Sequence, residues 1–110
     1  RLMTPIYSEQ ALSTLIKDTP LVLVYFLGGT CAACWAIQGE VEKILADFPH
    51  VAAVEVTVED QPALAAAYSV FAVPTAILFT AGKEALRFGR HVDLGGFRRQ
   101  LARYSDLLQP

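Results

Sequence analysis

Cys31 and Cys34 are the only two cysteines of the chain, and they stand three positions apart in the stretch FLGGTCAACWAIQGEV, residues 26–41. They fall where an apolar run hands over, through Gly28-Gly29, to a helical pattern. Free backbone N–H groups and the positive end of the helix dipole gather at such a junction, and both favour a thiolate over a thiol. The thiolate is the nucleophile of disulfide exchange. At 100° per residue, Cys34 lies within about 40° of the stripe formed by Ile37, Val41, Ile44 and Phe48, so it is expected to face the core. Cys31, at the helix entrance, is expected to be exposed. An exposed attacker with a sheltered second thiol can run a two-step exchange: Cys31 attacks a disulfide, and Cys34 resolves the mixed disulfide as the internal bond closes.

Other readings of the pair stay open on the residues alone. Free cysteine is among the most buried residue types, so both thiols could be structural. A zinc site needs two more ligands, but there is no second cysteine pair and His50 and His91 lack finger-like spacing; a cluster shared between two chains is the remaining metal option. Cysteine-protease chemistry needs a partnered histidine, and the sequence nominates none.

The elements that position the cysteines are legible in outline. Ser8 can cap a helix through about Lys17, with Pro20 in the loop that follows. LVLVYFL, 21–27, is apolar without alternation, as a central strand covered on both faces would be. The stripe Ile37, Val41, Ile44, Leu45 and Phe48 predicts an amphipathic helix from Ala32 to about Phe48, ending before Pro49. VAAVEVTV, 51–58, reads as a second strand, and Asp60 with Pro62 opens an Ala-rich helix to about Tyr68. TAILFT, 75–80, a turn at Ala81-Gly82 and EALRFG, 84–89, predict a hairpin. Asp93 can cap a last helix carrying Leu94, Phe97, Leu101, Tyr104 and Leu108. With a short strand near Ile6, the expected class is α/β: a mixed sheet with helices on both faces.

Totals set the frame. At 110 residues the chain fits one domain, 1–110, and 54% hydrophobic residues with 18% charged argue against disorder. A formal charge of −2 favours no polyanion, so no nucleic-acid partner is expected. Six of the nine basic residues (Lys83, Arg87, Arg90, Arg98, Arg99, Arg103) fall in the last third, while Glu40, Glu42, Asp47, Glu55, Glu59 and Asp60 crowd the middle. That asymmetry could steer a partner, but solvated faces are the plainer reading. No apolar stretch has the length of a membrane span, so a soluble protein without membrane partner is expected. The chain starts with Arg1, which leaves export of a trimmed form open; the cytoplasm is the expected compartment.

Four features in order resemble the thioredoxin family over nearly the whole chain: the strand 21–27, Cys31-Ala32-Ala33-Cys34 opening a helix, Val73-Pro74-Thr75 before a strand, and Gly82 in the hairpin turn. The resemblance implies the thioredoxin fold, with a central mixed four- to five-stranded sheet, and a redox-active Cys31/Cys34 disulfide. It also implies a cis bond before Pro74, with the backbone at Val73 pairing with an extended substrate segment. By the same resemblance Thr30, Ala32, Ala33, Trp35, Val73, Pro74 and Gly89 would line the substrate groove, and Arg90 or His91 would border it.

Departures from the family pattern carry information. Thr30 stands where the family usually has Trp, and Ala32-Ala33 where it has Gly-Pro, which leaves the helix entrance less constrained. Tyr25 replaces a buried aspartate and Glu55 the lysine that accompanies it. Glu55 could accept a proton from Cys34, hydrogen-bonded to Tyr25; the plainer alternative is an exposed carboxylate near a strand end. Trp35 follows the second cysteine where Lys or Arg is common, and should be partly exposed, to contact substrate or to pack under a loop. Gly39 takes the place of a helix-kinking proline. His91 could tune the thiols, but an exposed loop histidine is the simpler reading.

The sequence is therefore expected to encode a thiol–disulfide oxidoreductase acting on protein or small-thiol disulfides, with a reductase or low-molecular-weight thiol as electron donor. No metal or organic cofactor is required, because the dithiol carries the electrons, and a monomer is expected. The rivals are a binding module that uses the groove around Pro74 with idle cysteines, and an exported oxidase or isomerase.

Overall fold

The computed structural model describes residues 3–108. Five strands form one sheet: β1 (Thr4–Pro5), β2 (Leu21–Leu27), β3 (Ala52–Thr57), β4 (Thr75–Thr80) and β5 (Lys83–Phe88), in the order β1-β3-β2-β4-β5. β1 and β2 both run parallel to β3, whereas β4 is antiparallel to β2 and β5 to β4, so the sheet is mixed as expected. All seven residues of β2 are buried, which is the reason its sequence shows no polar alternation. Alternate side chains supply two cores. Leu21, Leu23, Tyr25 and Leu27 face α2 (Ala32–Leu45) and α4 (Leu94–Leu108), while Val22, Val24 and Phe26 face α1 (Glu9–Asp18) and α3 (Pro62–Ala67).

Local chemistry sets the boundaries. Ser8 is the N-cap of α1, its hydroxyl accepting the Ala11 N–H at 2.9 Å. α2 ends three residues before Phe48: the N–H groups of Asp47 and Phe48 reach back three residues to Ile44 and Leu45. Pro49 disfavours helical backbone in the residue before it, and the last turn tightens accordingly. α3 stops at Ala67, one short of Tyr68; Ser69 has a left-handed φ of 57°, and Arg87 of β5 donates to the carbonyls of Tyr68 and Ser69 at 2.9 and 3.0 Å. The β4–β5 turn uses left-handed backbone at Ala81 and Gly82 and pairs Thr80 with Lys83, so β5 starts one residue before the expected position; a register shift follows at Leu78/Phe79. Gly89 thereby falls outside the strand. At α4 the Asp93 carbonyl accepts the Phe97 N–H at 2.9 Å, and Leu108, expected on the apolar stripe, is exposed.

Candidate active site

β2 ends at Leu27 against the two cores, and the chain then turns through Gly28-Gly29-Thr30 into α2. Cys31 is the N-cap of α2 with extended backbone (φ −98°, ψ 101°), and its Sγ accepts the Cys34 N–H at 3.1 Å. One of the free amides of the helix start, that of Cys34, thus reaches this sulfur, as expected from its place in the sequence. Cys34 is fully buried in the core beneath α2, and the two sulfurs are joined as a disulfide. Cys31 is half-buried where full exposure was expected, because its side chain packs against the rim of the same core that receives Val73 and Val92.

The peptide bond between Val73 and Pro74 is cis. Thr75 Oγ1 donates to the Ala72 carbonyl at 2.7 Å and pins the chain on either side of it. A Cβ placed on Gly28 would sit 3.4 Å from Val73 Cγ2 and 3.6 Å from Cys31 Cβ, so Val73 and the first cysteine meet across the bare backbone of that glycine. A Cβ on Gly89 would lie 3.2 Å from the Pro74 carbonyl oxygen, which places Gly89 directly beside the proline. Cys31, Val73, Pro74 and Gly89, taken from separate segments, are therefore brought together. Thr30 and Ala32 are exposed around the attacking position, Ala33 is half-buried, and Trp35 is 56% exposed one turn up the helix. Arg90 and His91 are exposed in the loop after Gly89.

The polar groups beneath Cys34 differ from the expected arrangement. Tyr25 is buried and its hydroxyl donates to the Cys34 carbonyl at 2.6 Å, so it holds helix backbone. Burial pushes its phenol up to about 12, with the Gln38 backbone N–H pulling the other way. Glu55 pairs with Tyr25 in the β2–β3 register and is 5% exposed, which corrects the reading of an exposed strand-end carboxylate. Its Oε1 accepts Gln38 Nε2 at 2.8 Å, one helical turn beyond Cys34.

Two residues at the site were not singled out from the sequence. Phe71, two residues before Val73, is 85% exposed beside an open apolar groove of about 300 Å³ lined by Val58, Pro62, Ala66, Val70, Ala72 and Val73. Glu59, in the loop after β3, accepts the Gly29 N–H with both carboxylate oxygens, at 3.1 and 2.9 Å. The only sequence signal for Phe71 is a large aromatic near a Val-Pro step, and Glu59 offers none beyond loop acidity.

A sulfur capping a helix, a sheltered partner bonded to it and a facing cis-proline define a centre for thiol–disulfide exchange. The sequence model of the Thioredoxin family matches residues 4–102. The chain is 29% identical over 107 residues to the thioredoxin-like protein YdfQ of Bacillus subtilis, covering 97% of this chain and 96% of that one. It is 39% identical over 67 residues to a thioredoxin of Chlamydia trachomatis, covering 61% and 66% respectively. Among solved structures, Fasciola hepatica thioredoxin superposes with a TM-score of 0.80 at 30% identity, over 93% of this chain and 99% of that one. A mutant thioredoxin from Halobacterium salinarum reaches 0.82 at 26% identity, over 96% and 93%. The chain belongs to the thioredoxin family, and it is a thiol–disulfide oxidoreductase. Members of this family act on protein disulfides with reductase partners.

Proposed function

We propose that the protein reduces disulfides of protein substrates, with Cys31 as the attacking thiolate and Cys34 as the resolving thiol. The observation that carries this reading is the asymmetry of the two sulfurs. One caps α2 at the rim of the core beside Val73, and the other is fully buried below it. Attack by Cys31 forms a mixed disulfide and expels the substrate's other sulfur as a thiolate, which takes up a proton. Cys34, deprotonated, then attacks Cys31 Sγ, closing the internal disulfide and releasing the second substrate sulfur. Two electrons pass to the substrate, and a partner reductase or a low-molecular-weight thiol restores the dithiol.

The substrate segment is taken to lie extended along Val73-Pro74, bordered by Thr30, Ala32, Ala33, Trp35 and Gly89. Trp35, next to Cys34, and Phe71, two residues before Val73, are exposed aromatics, which suits a polypeptide better than a small thiol. The reducing direction fits a monomer working in a cytoplasm, where thiols are kept reduced. Insulin reduction tests the reading. Wild type should be active, Cys31→Ser inert, and Cys34→Ser should accumulate a mixed disulfide with substrate at position 31. An inert wild type would leave a binding module, and a strongly oxidising potential would reverse the direction.

A further inference from the structure

Glu59 stands outside everything the exchange chemistry requires, yet its carboxylate grips the loop that delivers the attacking sulfur. Both oxygens take the Gly29 N–H, two residues before Cys31, although the group is fully exposed on the surface. The position a Cβ on Gly28 would occupy is 3.6 Å from Glu59 Oε2 and 3.6 Å from Cys31 Cβ, so carboxylate and cysteine border the same small volume. That N–H, followed by that of Glu59 itself, also holds the Glu59 carboxyl below the usual carboxylate range, so the negative charge persists wherever the enzyme works.

We infer that Glu59 is a positioning residue with two effects on Cys31, resting on the assignment of Cys31 as the attacking thiol. Its hydrogen bonds fix the Gly28–Thr30 loop, so that Cys31 is held against Val73. Its charge opposes the thiolate that the α2 amides stabilise, which keeps the Cys31 pKa up and the dithiol more strongly reducing. The two effects are separable by substitution. Glu59→Gln removes the charge and keeps an acceptor for the Gly29 N–H, whereas Glu59→Ala removes both. The other charged or titratable groups on the elements that build the site, Cys34, Glu40, Glu42 and Lys43 of α2, Tyr25, Glu55, Asp60, Arg90, His91 and Asp93, are the same in all three proteins.

The test follows Cys31 thiolate absorbance at 240 nm against pH, equilibrium with a glutathione couple, and steady-state insulin reduction. In Glu59→Gln the Cys31 pKa should fall by about half a unit to one unit. The equilibrium should move roughly twofold toward the dithiol, and raised salt should shrink the difference from wild type. Glu59→Ala should show the same fall and a KM several-fold above that of Glu59→Gln, with kcat less affected. A Cys31 pKa that is unchanged or raised in Glu59→Gln overturns the inference, as does a KM that does not distinguish the two variants. Loss of activity in Cys31→Ser is independent of either result, so the assignment of the attacking thiol and the role of Glu59 fail separately.

Discussion

Replacing Tyr25 by Phe isolates one hydrogen bond beneath the reactive pair. The ring is fully buried among Leu23, Leu27 and Cys34, so Phe keeps the packing and deletes the hydroxyl that donates to the Cys34 carbonyl at 2.6 Å and meets the Gln38 backbone N–H. That carbonyl lies in the first turn of α2, where helical geometry offers it the N–H four residues on, at Gln38, the same amide that meets the Tyr25 hydroxyl and is released to it once the phenol is gone. The substitution therefore leaves no orphaned acceptor. The loss should sit near the net value of one hydrogen bond, about 1 kcal/mol, below the ~1–3 kcal/mol of a buried group left unpaired. For a domain of this size that lowers Tm by about 4 °C and the urea midpoint by about 0.3–1 M, at unchanged m-value. Urea unfolding of the oxidised form, followed by far-ultraviolet circular dichroism, measures it. A loss of about 3 kcal/mol or more would refute the reasoning, because the Cys34 carbonyl would then depend on the tyrosine alone. A loss near zero would show that the bond contributes nothing in solution.

Two further outcomes follow from the same geometry. Tyr25 is a weaker acid in the fold, at about 12, than in the unfolded chain, at about 10. The unfolded state thus loses this proton first, so the Tyr25 contribution to stability is intact below about pH 10 and declines as pH rises toward 12. The difference in 295 nm absorbance between wild type and Tyr25→Phe should stay flat below about pH 11, and a phenolate from Tyr25 below that pH would contradict its burial. Gly89→Ala places a methyl 3.2 Å from the Pro74 carbonyl oxygen, where backbone must give by a few tenths of an ångström. Stability should fall by about 1 kcal/mol and KM for insulin should rise several-fold; an unchanged KM would remove Gly89 from the substrate path.

The fold was largely legible because its strongest signals are of the kind that sequence carries. An unbroken apolar run at 21–27 reads as a strand covered on both sides, and a Ser8 cap or a Pro49 stop acts through its nearest neighbours. Cys34 followed from helical phase alone. What was missed depends on contacts between distant segments. Cys31 is half-buried because it packs against the core rim where Val73 arrives from another loop, and β5 begins at Lys83 because the turn spans only Ala81-Gly82 and pairs Thr80 with Lys83. Glu55 read as exposed because carboxylates seldom enter a core; only the third dimension brings the Gln38 amide to it. Glu59, whose partner is a backbone N–H thirty positions away, left no trace in composition or period.

These long-range contacts also decide how the pair of sulfurs is tuned. The family pattern places a buried aspartate and a lysine where this chain has Tyr25 and Glu55, and here both hold the α2 helix, one through the Cys34 carbonyl and the other through the Gln38 side chain. A helix anchored from below keeps its first-turn amides aimed at Cys31, whose Sγ already receives one of them at 3.1 Å. The thiolate of this protein is thus favoured by backbone dipoles and opposed by a surface carboxylate on the neighbouring loop. Of those two influences the carboxylate is the one that a point substitution outside the helix can change, and because it also accepts the Gly29 N–H, only a replacement that keeps an acceptor, Glu59→Gln, separates its charge from its hold on the loop.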